Sequence, residues 1–406
     1  MRPDLDDKEW PVPLNRDPRY RDVPLMRSLY QARWHGLVSE GYAMAKELSI
    51  RGSSRPIPAG ECAITSLAAA EDWVLGATSG KRAHVFAYCP HPSDEAVLRM
   101  AALDGHMGIR HALVWMPDHG LFAGTSAPGR EDYAGGEVLK LALPRTVGSV
   151  IQEWNPVRPE VDSLGCPVPG EGVACMIGDA ARGRLYGLSD ATGTLFSVDA
   201  ESGAFATHGV IDELHRFSPE LILGPDGFVY GCGTIGRIIR FAPDSGAIED
   251  TGMQLPGLAG RGQYSKVGAW TLDERTGLIY AGDVADGLLS VLDVASGQVR
   301  ALGKPTAQPH VRALAASADG RIYGVAGERG TICHLFCHSP AAGELRDLGV
   351  MTAAVDRRWY GYEFDCAVAA PDGRVYFGES DRISHLFVYF PPVVPATAQE
   401  EREGAG

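Results

Sequence analysis

The second half of the chain returns five times to one short string. It reads Gly-Arg-Leu-Tyr-Gly at 183–187, Gly-Phe-Val-Tyr-Gly at 227–231, Gly-Leu-Ile-Tyr-Ala-Gly at 277–282, Gly-Arg-Ile-Tyr-Gly at 320–324 and Gly-Arg-Val-Tyr-Phe-Gly at 373–378. The tyrosines fall at 186, 230, 280, 323 and 376, a period of roughly 43–53 residues. Strand-like text at such a period implies a small sheet repeated radially, a β-propeller, because one such sheet cannot bury its faces without neighbours.

Residues 312–349 show what one repeat contains. Arg312-Ala-Leu-Ala-Ala-Ser reads as an inner strand and Asp319-Gly320 as a hairpin turn. Arg321-Ile-Tyr-Gly-Val follows as a second strand, Cys333-His-Leu-Phe-Cys as a third and Gly343–Gly349 as a fourth. The Asp-Gly pair is a strong hairpin signal, since both residues accept positive φ, and it recurs at 226–227 and 372–373. Two weaker copies lie upstream, one around Asp72-Trp-Val-Leu-Gly-Ala-Thr and one around Gly120-Leu-Phe-Ala-Gly-Thr. The count reaches seven blades, each a four-stranded antiparallel sheet. The last copy lacks a fourth strand before Pro391-Pro392, and an orphan strand, Ala45–Arg51, precedes the first blade. The expected fold is therefore an all-β, seven-bladed propeller over 41–392, closed when the N-terminal strand 45–51 completes the last blade, with an aromatic N-terminal arm over 1–40 and a disordered tail over 393–406.

Composition narrows the function. A net charge of −14 over 406 residues argues against nucleic acid as partner. No run of apolar residues is long enough to span a membrane. The polar N-terminus and eight scattered cysteines suggest reduced thiols and a cytoplasmic setting. Nucleophile-elbow, phosphate-loop, HExxH and dinucleotide fingerprints are missing from the sequence.

Propeller loops that enter the inner strands, and those joining second to third strands, gather at one mouth, where a rigid scaffold presents side chains. Here they carry Arg110-His111, His215, Tyr264 with Lys266, His310 with Arg312, Tyr360 with Tyr362, and Arg382. In an acidic chain this concentration of Arg, Lys, His and Tyr points to an anionic, polyhydroxylated ligand. His111 and His310 precede inner strands at comparable positions, and imidazole takes up protons near neutral pH. Cys333-His334-Leu-Phe-Cys337-His338 is a weak metal motif, because same-face residues four apart in a strand stand about 13 Å from each other. Glu363, Asp365, Glu379 and Asp381 offer oxygen ligands for a divalent cation at the mouth, and no cofactor is required by any motif.

The string Val284-Ala-Asp-Gly-Leu-Leu-Ser-Val-Leu-Asp-Val-Ala-Ser-Gly-Gln-Val resembles the loose repeats of YVTN and SMP-30-like propellers, over most of residues 60–390. In residue types the chain also resembles propeller lyases of uronate-containing polysaccharides: oligogalacturonate, ulvan and rhamnose–glucuronate lyases. That resemblance implies β-elimination, with His111 or His310 as base and Tyr264 as acid. Arg110, Lys266 or Arg312 would neutralise the uronate carboxylate, and His215, Tyr360, Tyr362 and Arg382 would bind the sugar. The SMP-30 likeness implies instead a metal-dependent lactonase, against which the single Asn beyond the N-terminal arm, Asn155, counts. A binding propeller without catalysis is the third reading.

Overall fold

The computed structural model describes residues 38–48, 57–70, 73–88, 97–126, 134–143, 145–147, 150–153, 160–328, 330–354 and 358–392. The N-terminal arm before residue 38, the tail after residue 392, and Arg130, Tyr133, Arg329 and Arg357, which the sequence reading also assigns to mouth loops, lie outside these residues.

Seven four-stranded antiparallel sheets form the blades of a propeller. Their inner strands are Ala63–Ala70, Leu113–Met116, Val173–Asp179, Leu221–Leu223, Val267–Asp273, Val311–Ala316 and Phe364–Ala369 for blades one to seven. Within a blade the third strand is buried on both faces by the neighbouring blades, as in His334–Ser339, while the outer strand is half exposed, as in Phe205–Val210.

The repeated string has a physical reading. All five repeat tyrosines are at most 2% exposed. In blades four and six the hydroxyl donates to the aspartate of the Asp-Gly turn, Tyr230 to Asp226 at 2.7 Å and Tyr323 to Asp319 at 2.8 Å. Turn and tyrosine are thus one device: the ring fills the space between blades and the phenol satisfies the turn carboxylate. The glycine after the tyrosine leaves room for an aromatic ring across the ladder. Gly187 is opposite Phe196 and Gly324 opposite Phe336, and Gly76 is opposite Phe86 in blade one.

The ring closes as the sequence implies. Tyr42–Glu47 pairs antiparallel with His385–Phe390, from Tyr42 opposite Phe390 to Glu47 opposite His385. The closing strand begins three residues before the expected Ala45. Its small members Ala43 and Ala45 sit opposite Tyr389 and Phe387, so the large side chains that mark a strand in sequence are supplied by the partner. Glu40 anchors this strand: its carboxylate pairs with the Arg346 guanidinium of blade six at 2.5 and 3.1 Å, and its carbonyl accepts the Tyr389 hydroxyl at 3.0 Å.

Two hairpins are additions that the repeat does not announce. Arg145–Val147 pairs with Val150–Glu153 before the outer strand of blade two, and Thr352–Ala354 pairs with Arg358–Tyr360 before blade seven. The second takes into a strand Tyr360, which the sequence places in an entry loop.

Candidate functional site at the mouth of the channel

The inner strands are not regular where they enter the ring. In blades one, three, five, six and seven the register slips within the first three residues, between Ile64 and Ser66, Val173 and Cys175, Val267 and Ala269, Val311 and Ala313, and Phe364 and Cys366. Each bulge leaves one residue unpaired and turns it out of the ladder. Four of those residues, Thr65, Ala174, Arg312 and Asp365, line one cavity of about 850 Å³ at this end. That volume lies within the range typical of small-ligand sites, about 300–1,000 Å³. A narrower cavity of about 210 Å³ continues down the channel, and His111 and Asp365 border both.

His111 is fixed from both sides. Its amide donates to the Thr65 carbonyl at 2.9 Å, and its own carbonyl accepts the Met176 amide at 2.9 Å, so its backbone bridges blades one and three. Its φ is +44°; His215 (+52°) and His310 (+62°) are also left-handed. Non-glycine residues adopt this region at a cost, and it is frequent at functional sites.

The His111 Nδ1 stands 3.4 Å from Glu220 Oε1, contributed by the entry to blade four. Both side chains are mostly buried, 22% and 13% exposed. Burial lowers the His111 pKa, with Arg110 and Arg312 adding to the effect and Asp365 opposing it. Burial and then the facing Asp365 push the Glu220 carboxyl well above the usual carboxylate range, against a hydrogen bond from the Trp270 backbone. Burial thus disfavours the charged form of both partners where they meet. Lys266 also lines the cavity, and burial lowers its pKa.

The structure brings together Arg110, His111, His215, Lys266 and Arg312 among the expected residues. His215 is exposed and its Nδ1 meets the Thr192 carbonyl at 2.8 Å. The structure does not bring the others to the cavity lining. His310 is half-buried, and burial and Arg312 lower its pKa. Tyr264 is 56% exposed under the Arg261 guanidinium, 5.0 Å from its ring centroid. Tyr360 and Tyr362 are buried at 4% and 6% exposure, and Arg382 is exposed.

Carboxylates complete the mouth: Asp190, Glu328, Glu363 and Asp365 share it with the three cations, and Glu220 lines the smaller cavity beyond. The mouth is therefore of mixed charge rather than basic. A search for basic and imidazole residues passes over Glu220, although it stands immediately before an inner strand, as His310 does. Glu379 is engaged inside blade seven, accepting from the Trp359 indole at 3.1 Å, the Tyr362 amide at 3.1 Å and the His385 amide at 3.0 Å. Among the described residues no three His, Cys, Asp or Glu side chains are grouped as a metal ion would require. His334 instead meets Asp347 at 3.0 Å, and burial raises the pKa of Cys337 to about 11.

No protein-family model matches the chain, and no curated protein sequence matches it. Solved structures do. Streptogramin B lyase is similar with a TM-score of 0.60 at 12% identity, over 86% of this chain and 98% of that one. An extracellular domain from B. thetaiotaomicron is similar at 0.54 and 13% identity, over 85% of this chain and 40% of that one. The WD40 β-propeller domain of Doa1 is similar at 0.51 and 11% identity, over 85% and 97%. At these identities the likeness establishes the architecture: a seven-bladed β-propeller.

Proposed function

We propose that this propeller is a lyase that acts at its mouth on a small, polyhydroxylated anion, with uronate-containing oligosaccharides as the substrate class. The observation that carries the reading is the His111–Glu220 pair, 3.4 Å apart; both line the inner cavity, and His111 also lines the mouth cavity with Arg110 and Arg312. β-Elimination needs a base for the proton beside the carboxylate, positive charge for the enolate that develops, and an acid for the departing oxygen. His111, whose pKa burial lowers, takes the proton. Arg110 and Arg312 take the growing negative charge. Glu220 gives its proton to the leaving oxygen as the C–O bond breaks and the C=C bond forms. His111 then hands its new proton to Glu220, which restores both groups. The similar fold of a protein called streptogramin B lyase agrees in reaction class and says nothing about the substrate here.

The test is ultraviolet absorbance during incubation with a panel of uronate oligosaccharides. An absorbance rise from an unsaturated uronate is expected with the wild type, and His111→Ala should lower it by about 10²–10⁴-fold with unchanged thermal unfolding. Product without a new double bond, or full activity of the variant, overturns the reading.

A further inference from the structure

Six large hydrophobic side chains are exposed among the described residues, and four of them, Leu214, Ile235, Leu258 and Tyr264, belong to loops at the mouth of blades four and five. The Asp212 carboxylate binds two of these loops together, accepting the amides of Leu214 and Thr234. The third loop joins them where the Leu255 amide donates to the Gly236 carbonyl at 2.9 Å. Two of these loops also reach the cavity: Leu214 precedes His215 and Tyr264 lies two residues before Lys266, and both His215 and Lys266 line it.

Ile235 supplies an independent observation. It has φ +56° and ψ +27° and is 39% exposed. A β-branched residue in the left-handed region is a genuine outlier, and glycine would remove the strain. The conformation is enforced by its surroundings, because the Gln254 amide donates to the Ile235 carbonyl at 2.8 Å and Gly233 donates to the Arg237 carbonyl at 2.9 Å. The aliphatic side chain of this strained residue is partly open to solvent, on a loop that Asp212 ties to the Leu214 loop. Arg261 stacks over Tyr264 and is tied to Asp286, which holds that ring as a platform.

We propose that the rim formed by Leu214, Ile235, Leu258 and Tyr264 holds the apolar part of an amphipathic anionic substrate whose carboxylate lies in the adjoining cavity. This rests on the acid–base reading of the cavity and adds to it that the acidic unit is joined to an apolar group. Phenyl and methyl β-D-glucuronide are the probes, compared by titration calorimetry. The wild type should bind the phenyl compound about tenfold more tightly. Ile235→Gly with Tyr264→Ala should bring the two within about twofold and leave the methyl compound unaffected. Because glycine relieves the strain at 235 and Tyr264 is 56% exposed, the double variant should keep a cooperative unfolding transition near the wild-type temperature, so lost binding is not lost folding.

Anilinonaphthalene sulfonate, itself an apolar anion, separates failure of the rim from failure of the uronate reading. Saturable binding by the wild type but not by the double variant, with neither glucuronide bound, upholds the rim and sinks the uronate. Equal dye binding by both proteins, or an equal phenyl preference in both, overturns the rim. A wild-type dimer in light scattering that the double variant dissolves would make a second copy the occupant and also overturn it.

Discussion

A carboxyl group shut away from water and facing another carboxylate keeps its proton beyond the range usual for glutamate. Glu220 meets both conditions, and this sets a test that does not depend on finding the substrate. Unfolded, the group releases its proton near pH 4.3; folded, it holds the proton to a higher pH. As pH rises through that window the folded chain binds more protons than the unfolded one, so the contribution of Glu220 to stability falls and stays lost above it. Glu220→Gln removes this dependence. Denaturant midpoints should show the variant gaining on the wild type between pH 4 and pH 8; an offset that is the same at both values contradicts the proposed burial of the charge. The sequence shows Ser-Pro-Glu before a strand and nothing more. The shift exists because Asp365 and His111 come from other blades, and no local pattern encodes them.

Strands and turns were the legible elements because their causes are local. The Asp-Gly pair fixes a hairpin through its own φ angles, and the Tyr-Gly pair that follows reads directly as buried ring and open space. At Gly324 the space is already occupied: a β-carbon there would overlap the Phe336 ring and come within 2.7 Å of Leu314. Gly324→Ala should therefore cost about 1–3 kcal/mol, as overpacking does in other cores, read as a lower urea midpoint. A neutral substitution would show that the blades are less tightly packed than the geometry requires. The elements that escaped are those set by neighbours. A bulge depends on the register against the second strand, so the sequence placed Arg312 and Asp365 near the mouth without showing the bulges that turn them into it. The hairpin of Thr352–Ala354 and Arg358–Tyr360 has Trp359 stacking at 4.0 Å on His385 and donating to Glu379, residues of two later strands. With it Tyr360 and Tyr362 are drawn into the interior.

For the whole molecule the decisive contact is the one between the two ends of the ring. Every other blade is made from consecutive chain, but blade seven needs Tyr42–Glu47 to cover the strand His385–Phe390. Removing residues 1–48 exposes that strand as an unpaired edge and deletes the Glu40 link to Arg346 in blade six. The truncated chain should be insoluble or lose its cooperative unfolding transition. A soluble protein with an intact transition would mean that the ring holds without its closing strand. The sequence alone determined the architecture: all-β, seven blades, closed by its N-terminus. These follow from periodicity, turn chemistry and one missing strand, all of which are properties of short stretches of chain. Only the tertiary structure decided which loop residues form a site. It set His111 against Glu220, turned Arg312 and Asp365 inward through bulges, and left Tyr264 and Ile235 facing out on the rim. The reason is that closure of the ring brings inner strands from distant parts of the chain around one axis, and the spacing, burial and charge of their side chains arise there.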